Sequence, residues 1–207
     1  MLPRMAAVES RQVRVRQTRQ ESRARIVAAA TELVRTRSYA EISVELVMAE
    51  AGLGRTIFYR HFDDLADLLQ RSGREAIDAL YEAQRALGEV RPDEDPGAVR
   101  RAIQTAVAVY QEHGPLLRAL AEAAAGDGQM THDYEAMRRR FDVFVEQSLS
   151  GVAHLASQPA ADLAQTARAL NLMNEGYLLD AFCREPRVSG EVAVQTLTEI
   201  WEAVIRR

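Results

Sequence analysis

One cysteine, Cys183, stands in 207 residues, which excludes an internal disulfide framework and any cysteine-built structural zinc site. Lysine is absent altogether, so all 26 basic residues are arginine. With 34 alanines beside them, these arginines fit a genome rich in G and C, and their use over lysine says little about bidentate recognition. No apolar run approaches the roughly 18 residues of a membrane span, and no apolar stretch of the secretory kind follows the first arginines. The expected address is therefore the cytoplasm. Alternating β-branched stretches long enough for a sheet are missing too. The four histidines, 61, 113, 132 and 154, lie at least 19 positions apart, and none is closely spaced with Cys183. There is no glycine-rich phosphate loop, no G-x-S-x-G and no H-E-x-x-H. The expectation is a protein that is not an enzyme, with no catalytic residue, no metal and no cofactor.

What is present is a soluble composition, 47% apolar and 27% charged, with an uneven charge. Residues 1–74 carry 13 arginines against 9 acids, and the remaining 133 residues carry 13 against 21. A basic head on an acidic body points to one end that meets a polyanion. Apolar residues recur at helical spacing throughout, and the reading is all-α with nine helices. The first covers Gln20 to Thr36, with Ile26, Ala30, Leu33 and Val34 on one face. Ser43 caps a short helix to Glu50, a second short segment runs from Arg55 to His61, and Asp63 or Asp64 caps a long helix to about Leu87. After the link 88–95, Asp95-Pro96 opens a helix to Glu112, and Gly114-Pro115 breaks the chain before a short helix over Leu116 to Ala125. A long helix follows from about Thr131 to Ala156, then helices from Pro159 to Arg184 and from Ser189 to the end.

The stretch Ser43 to Phe62 carries the chemistry. Val44, Val47 and Met48 give the first short helix an inward face, Ala51 permits close approach, Gly52 supplies a tight or left-handed turn, and Leu53 plugs the corner. Phe58 and Phe62, four apart, face inward and leave Arg55, Thr56, Tyr59 and Arg60 on the other sides. This is helix-turn-helix geometry, whose second helix enters the major groove. Each residue also has a plainer use: Tyr59 as a cover for the head's own core, His61 packed against Phe62, Arg60 as solvated charge.

In its segment AGLGRTIFYRHFDDLADLL, and upstream through Ile26, Ala29, Ala30, Leu33, Tyr39 and Ile42-Ser43-Val44, the chain resembles the TetR family of bacterial transcriptional regulators. The resemblance implies an N-terminal helix-turn-helix head and a C-terminal helical body for ligand binding and dimerisation. Three regions follow: a basic flexible arm over 1–19, the DNA-binding domain over 20–68 and the body over 69–207. It also implies a homodimeric repressor on a palindromic operator, released by a small effector. Arg55, Thr56 and Arg60 would face base edges; Ser43, Tyr59, His61 and the arm residues Arg16, Arg19 and Arg23 would hold the DNA backbone. Two positions depart from the family pattern. Gly54 stands where serine usually caps the recognition helix, and Leu65 replaces a lysine expected to reach a phosphate.

In the body, Tyr81, Tyr110, Met130, Tyr134, Met137, Phe141, Phe144 and Tyr177 supply material for an apolar cavity or for plain core. Asn171 and Asn174, three apart on one helical face, are costly to bury unless bonded. Their segment resembles the corresponding helix of the mycobacterial ethionamide-resistance subgroup, where it implies an elongated apolar ligand channel; pairing with another helix also satisfies two amides. Absence of clustered charge here argues for an apolar or aromatic effector. The last two helices are apolar on several sides, which fits a dimer surface including Leu163, Ala167, Leu197, Ile200, Trp201 and Val204, or a central place in the monomer. Cys183, in the apolar tail of a helix, reads as a small buried hydrophobe. Three alternatives accompany the ligand-released repressor: an activator of the same fold, an effector-independent regulator, and a helical adaptor whose basic arm meets acidic protein or membrane. The last is disfavoured because RQVRVRQTRQESRAR has only isolated valines and no apolar face.

Overall fold

The computed structural model describes residues 3–88, 95, 97–126 and 128–206, with side chains described from residue 18 onward apart from 153 and 154. Among them every regular element is helical: α1 (Pro3–Thr36), a single 3₁₀ turn (Tyr39–Glu41), α2 (Val44–Ala51), α3 (Arg55–Phe58), α4 (Leu65–Gly88), α5 (Ala98–Gly126), α6 (Gly128–Ser150), α7 (Ala153–Ala156), α8 (Ala160–Phe182) and α9 (Gly190–Ile205). The chain forms two compact units, Met1–Ser72 and Gly73–Arg207, and the division falls within α4.

Side-chain caps start three helices where the sequence expects them. Ser43 Oγ accepts from Leu46 N at 3.1 Å, Asp64 Oδ1 from Asp67 N at 2.8 Å, and Ser189 Oγ from Val192 N at 3.2 Å. Other boundaries differ. α1 starts at Pro3 rather than Gln20. Proline is preorganised for a first helical position, and the alanines, glutamates, glutamines and arginines that follow are good helix formers without an apolar stripe. A reading keyed to the stripe therefore starts too late. Residues 89–94 of the expected link lie outside the described residues. Asp95 leads into α5, its Oδ1 accepting from Gly97 N and its carbonyl from Ala98 N, each at 3.0 Å.

α5 also corrects the break expected at Gly114-Pro115, because one helix runs straight through with Pro115 inside it. Proline removes the bond to the carbonyl four residues back and crowds it. Burial outweighs that cost here, since Val109, Tyr110, Leu116, Leu117, Ala119 and Leu120 are all buried and α5 packs on α6, α8 and α9. Gly114 makes this packing possible: a Cβ there would stand 3.0 Å from the Phe182 carbonyl oxygen and 3.1 Å from Cys183 Sγ. The helix expected over 131–156 is instead α6 followed by the short α7.

In the head unit Ile26, Ala30, Leu33, Val47, Met48, Phe58, Phe62 and Leu68 form one buried cluster, with Leu53 packed against it. α1 and α2 pack together and α3 packs on α2. No helix of the described residues is long and apolar enough to cross a membrane, and no group of three or more His, Cys, Asp or Glu among them could hold a metal ion.

Candidate nucleic-acid interface and body cavity

Between α2 and α3 the chain turns at Gly52, in the left-handed conformation with φ 62° and ψ 37°. Only glycine enters this region without steric cost. Arg25, on α1, fixes the turn by donating from Nη2 to the Ala51 carbonyl at 2.5 Å and to the Gly52 carbonyl at 3.3 Å. No sequence signal marks this residue, since nothing local ties residue 25 to residue 52. α3 spans only Arg55–Phe58; Tyr59 ends it and a tight turn carries the chain to Phe62. Phe58 and Phe62 are buried, and Arg55, Thr56, Tyr59 and Arg60 are exposed, as the spacing requires. Gly54 precedes α3 with no side-chain cap.

The exposed groups are already organised. Arg55 Nη1 meets Glu45 Oε1 at 2.5 Å, and its Nη2 donates to Tyr59 Oη at 3.2 Å. No sequence signal marks Glu45, because opposite charges on adjoining helices become neighbours only through the turn. Arg19 Nη2 donates to the Arg60 carbonyl at 3.2 Å, and Arg23 lies 5.9 Å from the centre of the Phe62 ring. His61 sits among these arginines; partial burial, then the charges of Arg19, Arg23 and Arg60, hold its pKa below 6.5. Ser43, also exposed, spends its hydroxyl on the α2 cap. Arg16 lies outside the residues whose side chains are described. The result is a cationic surface with hydroxyls, of the kind that meets phosphates and base edges.

In the body unit a cavity of about 220 Å³ lies among α4, α5, α6 and α8. Of the residues expected around it, Tyr110, Tyr134, Met137, Phe141, Asn171 and Asn174 line it. Tyr81, Met130, Phe144 and Tyr177 do not. Tyr81 instead stacks on Phe141 with centroids 4.4 Å apart, beneath the Arg140 guanidinium at 4.3 Å, and meets the Phe144 ring edge-on. An aromatic on a cavity-facing helix can point away from the cavity, which composition does not reveal. Both asparagines have protein partners: Asn171 Nδ2 donates to Asp142 Oδ1 at 2.9 Å, and Asn174 Oδ1 accepts from Trp201 Nε1 at 3.2 Å.

The expectation that charge does not cluster in this region is corrected. Glu135, Arg138, Arg139, Asp142, Arg168 and Glu175 all contribute to the lining. Within the lining is a linked set in which Tyr134 Oη donates to Glu175 Oε1 at 2.5 Å and Arg138 Nε pairs with Glu175 Oε2 at 3.0 Å. Burial, followed by the nearby Glu175 charge, pushes the hydroxyls of Tyr110 and Tyr134 well above the usual phenol range, so both stay protonated. Glu175 sits inside the segment already singled out for its asparagines; a carboxylate in so apolar a helix was the available signal. Cys183 is buried and its thiol is pushed up to about 12 by desolvation, in keeping with a packing role.

The proposed dimer residues divide by exposure. Leu163, Ala167, Leu197 and Trp201 are buried inside the monomer, which corrects their assignment to an exposed face. Periodicity cannot tell burial against the chain's own core from burial against a partner. Ile200 (39% exposed), Val192 (51%) and Leu172 (39%) remain open, and Val204 is half-buried. Gly176, exposed on α8, has nothing within 4 Å of where a Cβ would stand.

Comparison with known proteins follows this division. Residues 26–71 match the family described as bacterial regulatory proteins, tetR family, and residues 99–206 match the C-terminal domain of the transcriptional regulator EthR. The HTH-type transcriptional regulator EthR of Mycolicibacterium smegmatis is 28% identical over 190 residues, covering 86% of this chain and 83% of that protein. EthR of Mycobacterium tuberculosis is 28% identical over 183 residues, covering 85% and 83%. The crystal structure of the TetR-family regulator PfmR from Thermus thermophilus superposes with a TM-score of 0.67 at 20% identity, over 88% of this chain and 94% of that one. A putative TetR-family regulator from Syntrophomonas wolfei gives 0.68 at 14% identity, over 91% and 96%. These structures share the fold, and the sequence matches carry the family: the chain belongs to the TetR family of DNA-binding transcriptional regulators, with a body of the EthR C-terminal type.

Proposed function

We propose that the protein is a homodimeric, sequence-specific repressor whose operator is released when a small, largely apolar molecule occupies the body cavity. The observation that carries this reading is a lined cavity of about 220 Å³ in the unit that lacks the DNA-facing surface, with one wall supplied by α4, which begins in the head. A ligand bound against α4 biases the head only if it favours one arrangement of the two heads over the other. Two heads on a palindrome must meet half-sites about 34–36 Å apart, so a small tilt of α4 in each protomer is enough to lose register.

In the head, Arg55, Thr56 and Arg60 read bases, and Tyr59, His61, Arg19 and Arg23 hold phosphates. Glu45 and Tyr59 preset the Arg55 fork. Ser43 contributes through the α2 N-terminus that it caps, where backbone N–H groups and the helix dipole favour a phosphate. The exposed Leu172 and Gly176 on α8 and the exposed Val192 and Ile200 on α9 support a two-fold contact between copies.

Arg55→Ala is expected to weaken operator binding by about 1–3 kcal/mol and to relax discrimination at one base pair, measured by anisotropy on single-substituted operators. A uniform loss across all sequences would make Arg55 a phosphate contact instead. Chromatin mapping of the bound sites, with transcript levels in a deletion strain, tests repression itself: derepression of the adjacent gene is expected, and loss of its transcript would mark an activator.

A further inference from the structure

The cavity contains polar groups that the protein leaves unused. Gln84, on α4, lines it, and its Oε1 is buried with no hydrogen-bond partner among the described residues. A buried acceptor without a partner is costly, so such an atom calls for a reason. Tyr110, also in the lining and only 8% exposed, makes no hydrogen bond through its hydroxyl among the described residues. By contrast the charges nearby are committed: Glu175 to Tyr134 and Arg138, and Asp142 to Asn171. The six charged lining residues, Glu135, Asp142, Glu175, Arg138, Arg139 and Arg168, sum to zero.

We infer that the effector carries a neutral head group with both a hydrogen-bond donor and an acceptor, a carboxamide or an alcohol, held between Gln84 and Tyr110, with a short apolar tail along Met137, Phe141 and Leu120. A side-chain amide offers a donor beside its acceptor, so the complementary group must offer both in return; this holds whichever way the Gln84 amide is oriented. Tyr110 keeps its proton beside Glu175 and donates to the ligand's oxygen. A carboxylate or ammonium head would have to be desolvated beside Glu175 and Arg138, which are already paired with each other, and neither offers together the donor and the acceptor that the Gln84 amide takes. The cavity volume limits the tail, since a cavity of roughly 150 Å³ takes benzene and this one holds about 220 Å³.

This inference rests on the effector-released reading above, and its test separates the two. The chain's single tryptophan, Trp201, is bonded to the cavity residue Asn174, so its emission reports occupancy. Octanamide, octan-1-ol, octanoate and octylammonium are titrated at pH 7.5 into the full chain, and operator affinity is measured in parallel. The amide and alcohol are expected to shift Trp201 emission saturably, each at least about tenfold tighter than the two ions. Gln84→Met should remove most of that preference, and the isosteric Tyr110→Phe part of it, read as ratios within each variant. Binding of octanoate or octylammonium as tight as octanamide, unchanged ratios in both variants, or no binding by any of the four would overturn the inference. If ions and neutral compounds all release the operator alike, the head-group inference fails while effector release stands. Selective amide binding without any change in operator affinity leaves the head-group chemistry standing and defeats the release reading.

Discussion

Two glycines two positions apart in the head behave oppositely, and each does so for a stated reason. At Gly52 the backbone has φ 62°, and a Cβ would stand 3.0 Å from Arg25 Nη2. Gly52→Ala is therefore expected to cost about 1–2 kcal/mol, read as a lower Tm, and to weaken operator binding because the α2–α3 angle shifts with the turn. Gly54 has φ −75° and ψ 145°, a conformation any residue adopts, with nothing within 4 Å of its Cβ position. Gly54→Ser should raise stability by a few tenths of a kcal/mol through the missing cap of α3, measured by denaturant unfolding. His61 gives a pH dependence whose sign follows from its surroundings. Unfolded, its imidazole takes a proton near 6.5; folded, burial and three arginines move that event to lower pH. Between these values the unfolded chain binds more protons, so the contribution to stability is full above about 6.5 and is lost as pH falls through the folded value. A phosphate placed on His61 would raise its pKa and draw a proton. Operator affinity should then rise as pH drops from 7.5 toward 6, and a His61→Gln variant should lack that part of the slope.

At the scale of single elements, α5 shows local preference yielding to packing. Gly114-Pro115 has the sequence of a helix break, yet the segment is held helical by buried side chains on both sides of the proline. The tolerance is narrow. Gly114→Ala places a methyl 3.0 Å from a backbone oxygen of Phe182 and 3.1 Å from Cys183 Sγ, and backbone yields least readily. It is expected to destabilise by about 1–3 kcal/mol despite alanine's better helix propensity, with calorimetry as the measurement. A gain in Tm would mean that α5 and α8 separate easily at this crossing.

For the whole molecule the decisive feature is charge separated by unit. The head unit carries the excess of arginine and the body unit the excess of acid, and the apolar surface left open on α8 and α9 lies in the body unit. Ile200 is 39% exposed, so Ile200→Arg leaves the monomer's core untouched and tests the contact between copies. Sedimentation is expected to show a monomer, with operator affinity reduced about 10²-fold or more because two linked heads become two separate ones. A variant that stays dimeric would place the contact elsewhere. The same substitution at Leu197 or Trp201 would report only unfolding, since both are buried in the monomer's own interior.

How much of this was legible follows the range of the interactions. The turn at Gly52, the inward Phe58 and Phe62, the outward Arg55, Thr56, Tyr59 and Arg60, and the caps at Ser43 and Ser189 are matters of neighbours within about one helical turn, and the sequence determined them. Residues 41 to 94 positions apart in the chain are brought together only by folding: Glu175 meets Tyr134, Arg19 meets Arg60, and Gln84 shares a cavity with Asn171 and Leu178. Periodicity marks a residue as inward, and it cannot say which helix waits there. For that reason Leu163, Leu197 and Trp201 could be read as a dimer face until tertiary packing filled their surroundings with the chain's own side chains. The two asparagines could be read as ligand donors or as partners of another helix for the same reason, and in the fold a carboxylate and an indole hold them. Hydrophobic pattern thus settled which faces turn inward, and the distances over which side chains bond, about 3 Å against helices packed 8–10 Å apart, left every polar partnership to the tertiary fold.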